Sequence, residues 1–240
     1  MSEFALVLGY SLLPVAGNLI GSAMAEGVRT PGWVRGASLH AAAGIAIALV
    51  AMDLVPRALG ALETWALVVA FICGAVASVL IARGIKWLQG SRSDVGAWMV
   101  YAAVGADLVS DGLMTGAGSA VGSSLGFLLA ASQSVANIPG GFAAAASLRE
   151  NNIPRMQRIA VSVGMVVPVS VSAMLGLWLL GDADVFYQKS ALMVIVGVLL
   201  LATVEDVIPE GDAPEPKRWI SSTAFAAGFV IFALLSAGMR

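Results

Sequence analysis

The sequence predicts an all-α membrane protein of eight transmembrane helices, forming a single transmembrane domain over residues 1–240. Three observations predict it. Hydrophobic residues make up 59% of the chain and charged ones only 12%, against about 25% charged in a soluble domain. Eight apolar stretches approach the roughly 20 residues that cross a bilayer, near 4–25, 37–56, 62–82, 97–118, 121–148, 156–180, 188–208 and 219–239. Lys and Arg also crowd into alternate connections, which fixes an orientation.

In order along the chain, the first stretch has Glu3 and no Lys or Arg ahead of it. It is therefore read as a retained span and not a secretory signal. It carries Pro14, Gly17 and Asn18. The second begins at His40, the sole histidine, and ends Met52-Asp53-Leu54-Val55-Pro56. His40 is expected as an interfacial or packing residue, with a ligand role on the exit path as the other reading. The third holds Cys73, the sole cysteine, which cannot form an internal disulfide and is expected as a small apolar packing residue. A short turn, Gln89-Gly90-Ser91-Arg92-Ser93-Asp94, leads to the fourth.

The fourth stretch contains Asp107-Leu108-Val109-Ser110-Asp111-Gly112. Carboxylates four residues apart share one helix face. A lone charged carboxylate at bilayer depth costs at least about 2.5–3.5 kcal/mol, so such acids face a bundle interior or a watery cavity. Together they form an acceptor-only surface, suited to a cation or a proton. The alternative is a pair of protonated acids that only lock helices together.

The fifth stretch carries Gln133 and, one turn on, Asn137-Ile138-Pro139-Gly140-Gly141. A Pro-Gly-Gly run at this depth predicts a broken or bent helix beside the site. Gln133 and Asn137 are candidate oxygen ligands, with interhelical hydrogen bonding as the structural alternative. Pro168 lies in the sixth stretch, and the seventh ends Glu205-Asp206-Val207-Ile208-Pro209-Glu210. Glu210, Asp212 and Glu215 continue into a polar, Pro-containing loop, so Glu210 reads first as a solvated rim.

Ten of the thirteen basic residues fall after the first, third, fifth and seventh stretches, from Arg29 to Arg218. Only Arg57, Lys189 and Arg240 lie on the other side. The rule places both termini outside the cytoplasm of a multi-pass cell-membrane protein. With that topology, the Asp53 motif ends at the outer face and its echo at Asp206 ends at the inner face. Opposed copies of one motif are expected of the inverted repeats common in secondary transporters.

With these motifs assembled, the chain resembles the ZIP (Zrt/Irt-like) family of divalent-metal transporters across all eight stretches. His40 through Pro56 is similar to an H-x-A-A-G … H-L-x-P-E pattern, and Asp107–Gly112 to H-N-x-P-[ED]-G. Ala136–Gly141 resembles H-E-[IL]-P-E-G, and Glu205–Glu210 resembles H/D-E-L-I-P-E. The resemblance implies an inverted repeat of the first three and last three helices around central helices four and five, which carry a mid-membrane metal site. It places the family's ligands on Asp107, Leu108 and Asp111, on Ala136, Asn137 and Gly140, and on Asp206. Leu108 and Gly140 cannot coordinate through a side chain, and no histidine remains there. The His-rich loop of many members, between segments three and four, is also missing.

The surviving set is oxygen-based: Asp107, Asp111, Asn137, Gln133 and Asp206, with Asp53 on the outer approach and Glu205 on the inner one. Carboxylate and amide oxygens suit magnesium, calcium or manganese, whereas imidazole and thiolate suit zinc, iron or copper. The bound or carried divalent cation is thus left open among manganese, magnesium, zinc and iron, with the hard ions favoured. Three carboxylates around one divalent ion would leave a proton to share, coupling loading to pH. The expected function is divalent-cation transport into the cytoplasm by alternating access. A carrier of the same fold for another solute or for protons competes with it, as does a non-transporting binding role. No nucleophile–histidine pair supports an enzyme. The expected partners are a divalent metal ion and the lipid bilayer, a homodimer is compatible, and nothing points to nucleic acid.

Overall fold

The chain was analysed as a computed structural model, which describes residues 3–27, 31–89, 96–213 and 216–238. Side chains at 35, 85–89, 96–103, 106, 143, 147 and 150 are outside that description. The turn expected around Ser91 therefore lies outside the described residues.

The described residues are almost entirely helical. The helices are α1 (Glu3–Gly27), α2 (Gly32–Leu49), α3 (Val55–Ala58), α4 (Thr64–Gln89), α5 (Gly96–Val121) and α6 (Ser123–Glu150). They continue as α7 (Arg155–Gly164), α8 (Val166–Leu180), α9 (Val185–Ala202), α10 (Ile208–Asp212) and α11 (Arg218–Gly238). A π-turn over Val50–Leu54 joins α2 to α3, and a second over Thr203–Val207 joins α9 to α10. Helix is the only way an open chain satisfies every backbone group in lipid.

Among the described residues, six helices are long and apolar enough to cross a membrane: Glu3–Gly27, Gly32–Ala58, Thr64–Gly84, Arg155–Leu180, Val185–Asp212 and Arg218–Gly238. The long helices α5 and α6 are not among them. Asp107, Ser110, Asp111 and Thr115 dilute the apolar character of α5. Gln133, Asn137 and several serines and glycines do the same in α6. The two helices that fall short as spans are the two that carry the candidate site.

Proline sets the interruptions. Pro56 and Pro209 have no N–H to return to the carbonyl four residues back, and their rings crowd it. Each sits just after a π-turn, closed by Val55 N–H on the Val50 carbonyl and by Ile208 N–H on the Thr203 carbonyl. Widened turns of this kind recur at functional sites. Pro168 divides the sixth stretch, expected as one helix, into α7 and α8 at Met165. The break falls where the proline ring would press on the Gly164 carbonyl. Of the broken or bent segment expected at Pro139, the break is absent: α6 runs unbroken from Ser123 to Glu150 with Pro139 inside it.

Packing follows a pairwise pattern. The α1 helix lies against α6 as α8 lies against α5, and α2 lies against α11 as α9 lies against α4, while α5 and α6 face each other. Small residues make every one of these contacts close, as is usual between helices in lipid. A Cβ at Gly21 would collide with the Ile138 carbonyl, and one at Gly116 with that of Ala173. Gly44 and Gly228 meet at the α2–α11 crossing, and Gly197 and Gly74 meet likewise at the α9–α4 crossing. Gly44, Asp53 and Pro56 are spaced along α2–α3 as Gly197, Asp206 and Pro209 are along α9–α10.

The two π-turn spans run in opposite directions. Gly211 of α10 rests on Leu39 and His40 near the start of α2. At the other end, the charge of Arg57 in α3 reaches Lys189 near the start of α9. The two π-turns thus lie at opposite ends of the molecule. Between them sits the largest apolar cluster, including Leu49, Leu54, Met114, Leu125, Leu129 and Val196.

Cys73 corrects one expectation. It is exposed on α4 beside the equally exposed Val69, Ile72 and Val76, and not packed inside. The outward face of α4 is apolar throughout this stretch, which is what a lipid-facing surface requires.

Candidate functional site

Helices α5 and α6 build a polar ladder where they face each other. On α5 the spacing of four places Asp107, Asp111, Thr115 and Ser119 on one stripe. Opposite them on α6, Asn137 and Gln133 are one turn apart. The first rung is Asn137 Nδ2 donating to Asp111 Oδ2 at 2.6 Å. The second is Thr115 Oγ1 donating to Gln133 Oε1 at 3.1 Å. Gln133 Nε2 turns toward Met114 Sδ at 3.7 Å, and Ser119 Oγ closes on the Thr115 carbonyl at 2.8 Å. Because the ladder is antiparallel, moving down α5 means moving up α6.

The two carboxylates of the stripe differ in setting. Asp111 is only 7% exposed, and Asn137 and Gln133 are buried with it. Asp107, one turn nearer the start of α5, is exposed. The charges of Asp206 and Glu210 reach Asp107, and that of Asp107 reaches Asp111. Acidic groups therefore run from the second π-turn, through Asp107, to the buried Asp111–Asn137 rung. Glu205, Asp206 and Glu210 are all exposed. At its other end the ladder stops at Met114, Leu125 and Leu129 of the apolar cluster.

Asp53 occupies the first π-turn in the position that Asp206 occupies in the second. Its surroundings are opposite. It is 2% exposed, accepts a hydrogen bond from Ser236 Oγ at 2.7 Å on Oδ2, and lies 3.5 Å from Arg57 Nη2 through Oδ1. Asp53 is far from the ladder, across the apolar cluster. The structure thus joins Asp111 with Asn137 directly, sets Gln133 one rung away, brings Asp206 near Asp107 and leaves Asp53 apart.

The two positions without ligand side chains have physical accounts. Leu108 is fully buried with Val15, Met165 and Val169, in a cluster that fastens α5 between α1 and α8. A Cβ built at Gly140 would meet nothing closer than Val104 at 3.8 Å, so that glycine is not required by space. Its neighbour Gly141 is required: a Cβ there would collide with the Asn18 carbonyl. His40 takes the packing role. Its Nδ1 bonds the Gly36 carbonyl at 2.8 Å and its Nε2 lies 3.2 Å from Asp212 Oδ1, tying α2 to α10.

Sequence reading missed Thr115, Ser236 and Arg57 as partners. Thr115 continues the stripe of Asp107 and Asp111 by one more turn, so the period that found the acids also marks it. Ser236 carries no such signal, being distant in sequence from Asp53.

Chemically, the ladder is a row of acceptors entered from an exposed acidic surface. An amide that donates through nitrogen still turns a carbonyl oxygen toward a ligand. Among the described residues, no group of three or more His, Cys, Asp or Glu side chains is gathered closely enough to hold a metal ion. Compared with known proteins, the chain matches no family model and no curated protein.

Proposed function

We propose that this protein is a carrier for a divalent cation, with eight membrane spans of ZIP-like arrangement and an inverted repeat around α5 and α6. The observation that carries the reading is the buried Asp111–Asn137 rung, reached from an exposed acidic surface at Asp107 and Asp206. An ionisable residue this deep among spanning helices marks an ion or proton route by default. The matched helix pairs and the two opposed π-turn spans support the repeat, the usual build of alternating-access carriers. With both termini outside, the exposed turn faces the cytoplasm and the sealed turn faces out, which is an inward-facing arrangement.

The cation is a hard one, of the manganese or magnesium kind, because the ladder offers carboxylate, amide and hydroxyl oxygen. One ion is carried per protomer. Two ions at about 3.5–4 Å need bridging carboxylates, and Gly140 supplies none. Uptake of radioactive manganese into proteoliposomes, with zinc as competitor, tests the proposal. Saturable uptake that excess zinc displaces poorly is the expected result; no uptake above empty liposomes would reject it.

A second reading, a carrier of protons or another solute on the same scaffold, is favoured by one observation. No three His, Cys, Asp or Glu side chains are gathered closely enough to hold a metal ion among the described residues. Proton flux through the reconstituted protein in metal-free buffer separates the two.

A further inference from the structure

At the ends of α1 and α6 and the start of α7 lies a cleft of about 230 Å³ that plays no part in the ladder. Its inner walls are apolar, from Leu19 on α1, Ala145 on α6, and Ile159 with Val163 on α7. Its rim is charged. Arg158 grips Glu26 with both arms, Nε on Oε1 and Nη2 on Oε2, each at 2.6 Å, while its Nη1 donates to the Ile153 carbonyl. Arg155 Nε lies 3.8 Å from the same carboxylate, with its side chain 73% exposed. Arg149 Nη1 donates to the Ala25 carbonyl at 2.8 Å, at the end of α1.

One carboxylate thus pairs with two guanidinium groups and feels the charge of a third, Arg149. Glu26 is engaged by the bidentate grip of Arg158, the strong form of the pair. Arg155, which lines the cleft, and Arg149, which stands beside it at the end of α1, are left as two positive charges next to an apolar floor. Two candidate spans meet there: Glu3–Gly27 ends and Arg155–Leu180 begins. On the same turns Met156 is exposed outside the cleft, while Ile159 and Val163 line it and remain partly open, leaving apolar surface at the end of the span.

We propose that this cleft binds an anionic phospholipid, its phosphodiester on Arg149 and Arg155 and the start of an acyl chain against Leu19 and Ile159. The combination of charge above and hydrocarbon below selects this class. A free anion would make no use of the apolar walls, and a neutral lipid would make none of the arginines. A headgroup carrying its own quaternary amine would bring a cation back to a positive rim. Basic pockets between spanning helices hold acidic lipid headgroups on the same physical basis. The bound lipid would fasten α7 to α1 and α6. The inference does not rest on the cation-carrier reading and survives its failure.

The test uses the full chain in nanodiscs of phosphatidylcholine alone, or with added phosphatidylglycerol. Retained lipid is counted by native mass spectrometry, and thermal unfolding is followed in parallel. Retention of at least one phosphatidylglycerol, with a raised melting temperature, is expected. Replacing Arg149 and Arg155 together by Gln should weaken that retention at least tenfold, since each basic group near an anionic surface contributes roughly fivefold. The gain in melting temperature on adding phosphatidylglycerol should vanish in the variant, whatever the lost Arg149–Ala25 bond costs in phosphatidylcholine alone. Arg155→Gln by itself, at an exposed position, should weaken retention roughly fivefold and serves if the double variant does not fold. Equal retention of both lipids, undiminished retention by the variants, or equal protection by millimolar inorganic phosphate would overturn the proposal.

Discussion

The two π-turns are alike in backbone and opposite in state. Each closes a long span, each holds an aspartate as its fourth residue, and each is followed after one residue by proline. Asp53 is sealed: it lies under Ser236, beside Arg57, behind a cluster that includes Leu49 and Leu54. Asp206 is exposed, and its charge is felt at Asp107. The residue one turn past each aspartate differs in sign, Arg57 at the first turn and Glu210 at the second. Identical scaffolding thus makes one end a closure and the other an acidic mouth. The exposure of the aspartate is set by the side chains around the turn and not by the turn itself.

The largest effect is expected at the buried rung to which the open end leads. Asp111→Asn removes the buried carboxyl group while keeping its shape and an oxygen for Asn137, so the fold should survive. Cation uptake should fall to the level of protein-free liposomes. Asp107→Asn should slow it less, because Asp107 is exposed and Asp206 stands near. Uptake at the unaltered rate by both variants would place the route elsewhere and strip the comparison of its functional meaning.

Next comes the closure. Arg57→Gln leaves Asp53 buried with Ser236 still bonded to it but with the Arg57 charge removed. Removing one partner of a buried pair costs roughly 3–5 kcal/mol, and the 34% exposure of the Arg57 side chain places this case at the low end or below. A drop in melting temperature, with faster labelling of a cysteine introduced at position 54, is the expected outcome. An unchanged melting temperature would mean that Arg57 does not hold the outer turn.

Much of this was legible in the sequence, for physical reasons. Composition and alternating basic loops speak directly to lipid, so the spanning character and most boundaries followed. The four-residue period placed Asp107 and Asp111 together, and the echo of Asp53 in Asp206 marked the two turns. The π-turns were not legible, because their hydrogen bonds shift with no compositional trace beyond Pro56 and Pro209. Helix α6 continues through Pro139, where proline and glycine argued for a break or a bend. The propensity of a lone segment yields there to packing, since Gly141 seats α6 against Asn18 and Asn137 bonds across to Asp111. The contrast of Asp53 with Asp206 was the least legible of all. It depends on Ser236, almost the whole chain away, and on Arg57, whose orientation no local pattern gives.

A smaller effect is expected at the open end. Asp206→Asn should slow cation uptake severalfold and leave the melting temperature within error, because an exposed carboxylate carries little of the stability. The outcome sharpens the contrast, since the matching change at Asp53 touches a buried group and should act mainly on stability. Rates unchanged by Asp206→Asn would reduce the acidic mouth to a solvated rim.

The smallest effect concerns a single hydroxyl. Ser236 donates to Asp53, and a hydrogen bond to a charged, buried acceptor is worth about 1.5–3 kcal/mol. Ser236→Ala should therefore cost no more than the lower figure, as Arg57 remains on the other oxygen. Combined with Arg57→Gln in a double-mutant cycle, it should show coupling, because both groups serve one carboxylate. The reciprocal change tests whether closure can be moved. Gly74 and Gly228 mark corresponding crossings, and Ala82 stands as far past Gly74 as Ser236 stands past Gly228. At the open end, then, an alanine takes the place that the sealing serine has at the closed one. Ala82→Ser should slow uptake slightly by offering Asp206 a donor, while Ser236→Ala speeds outer labelling slightly. Opposite shifts from one hydroxyl gained and one lost would show that the two turns are variants of a single device. Shifts in the same direction would mean that their likeness stops at the backbone.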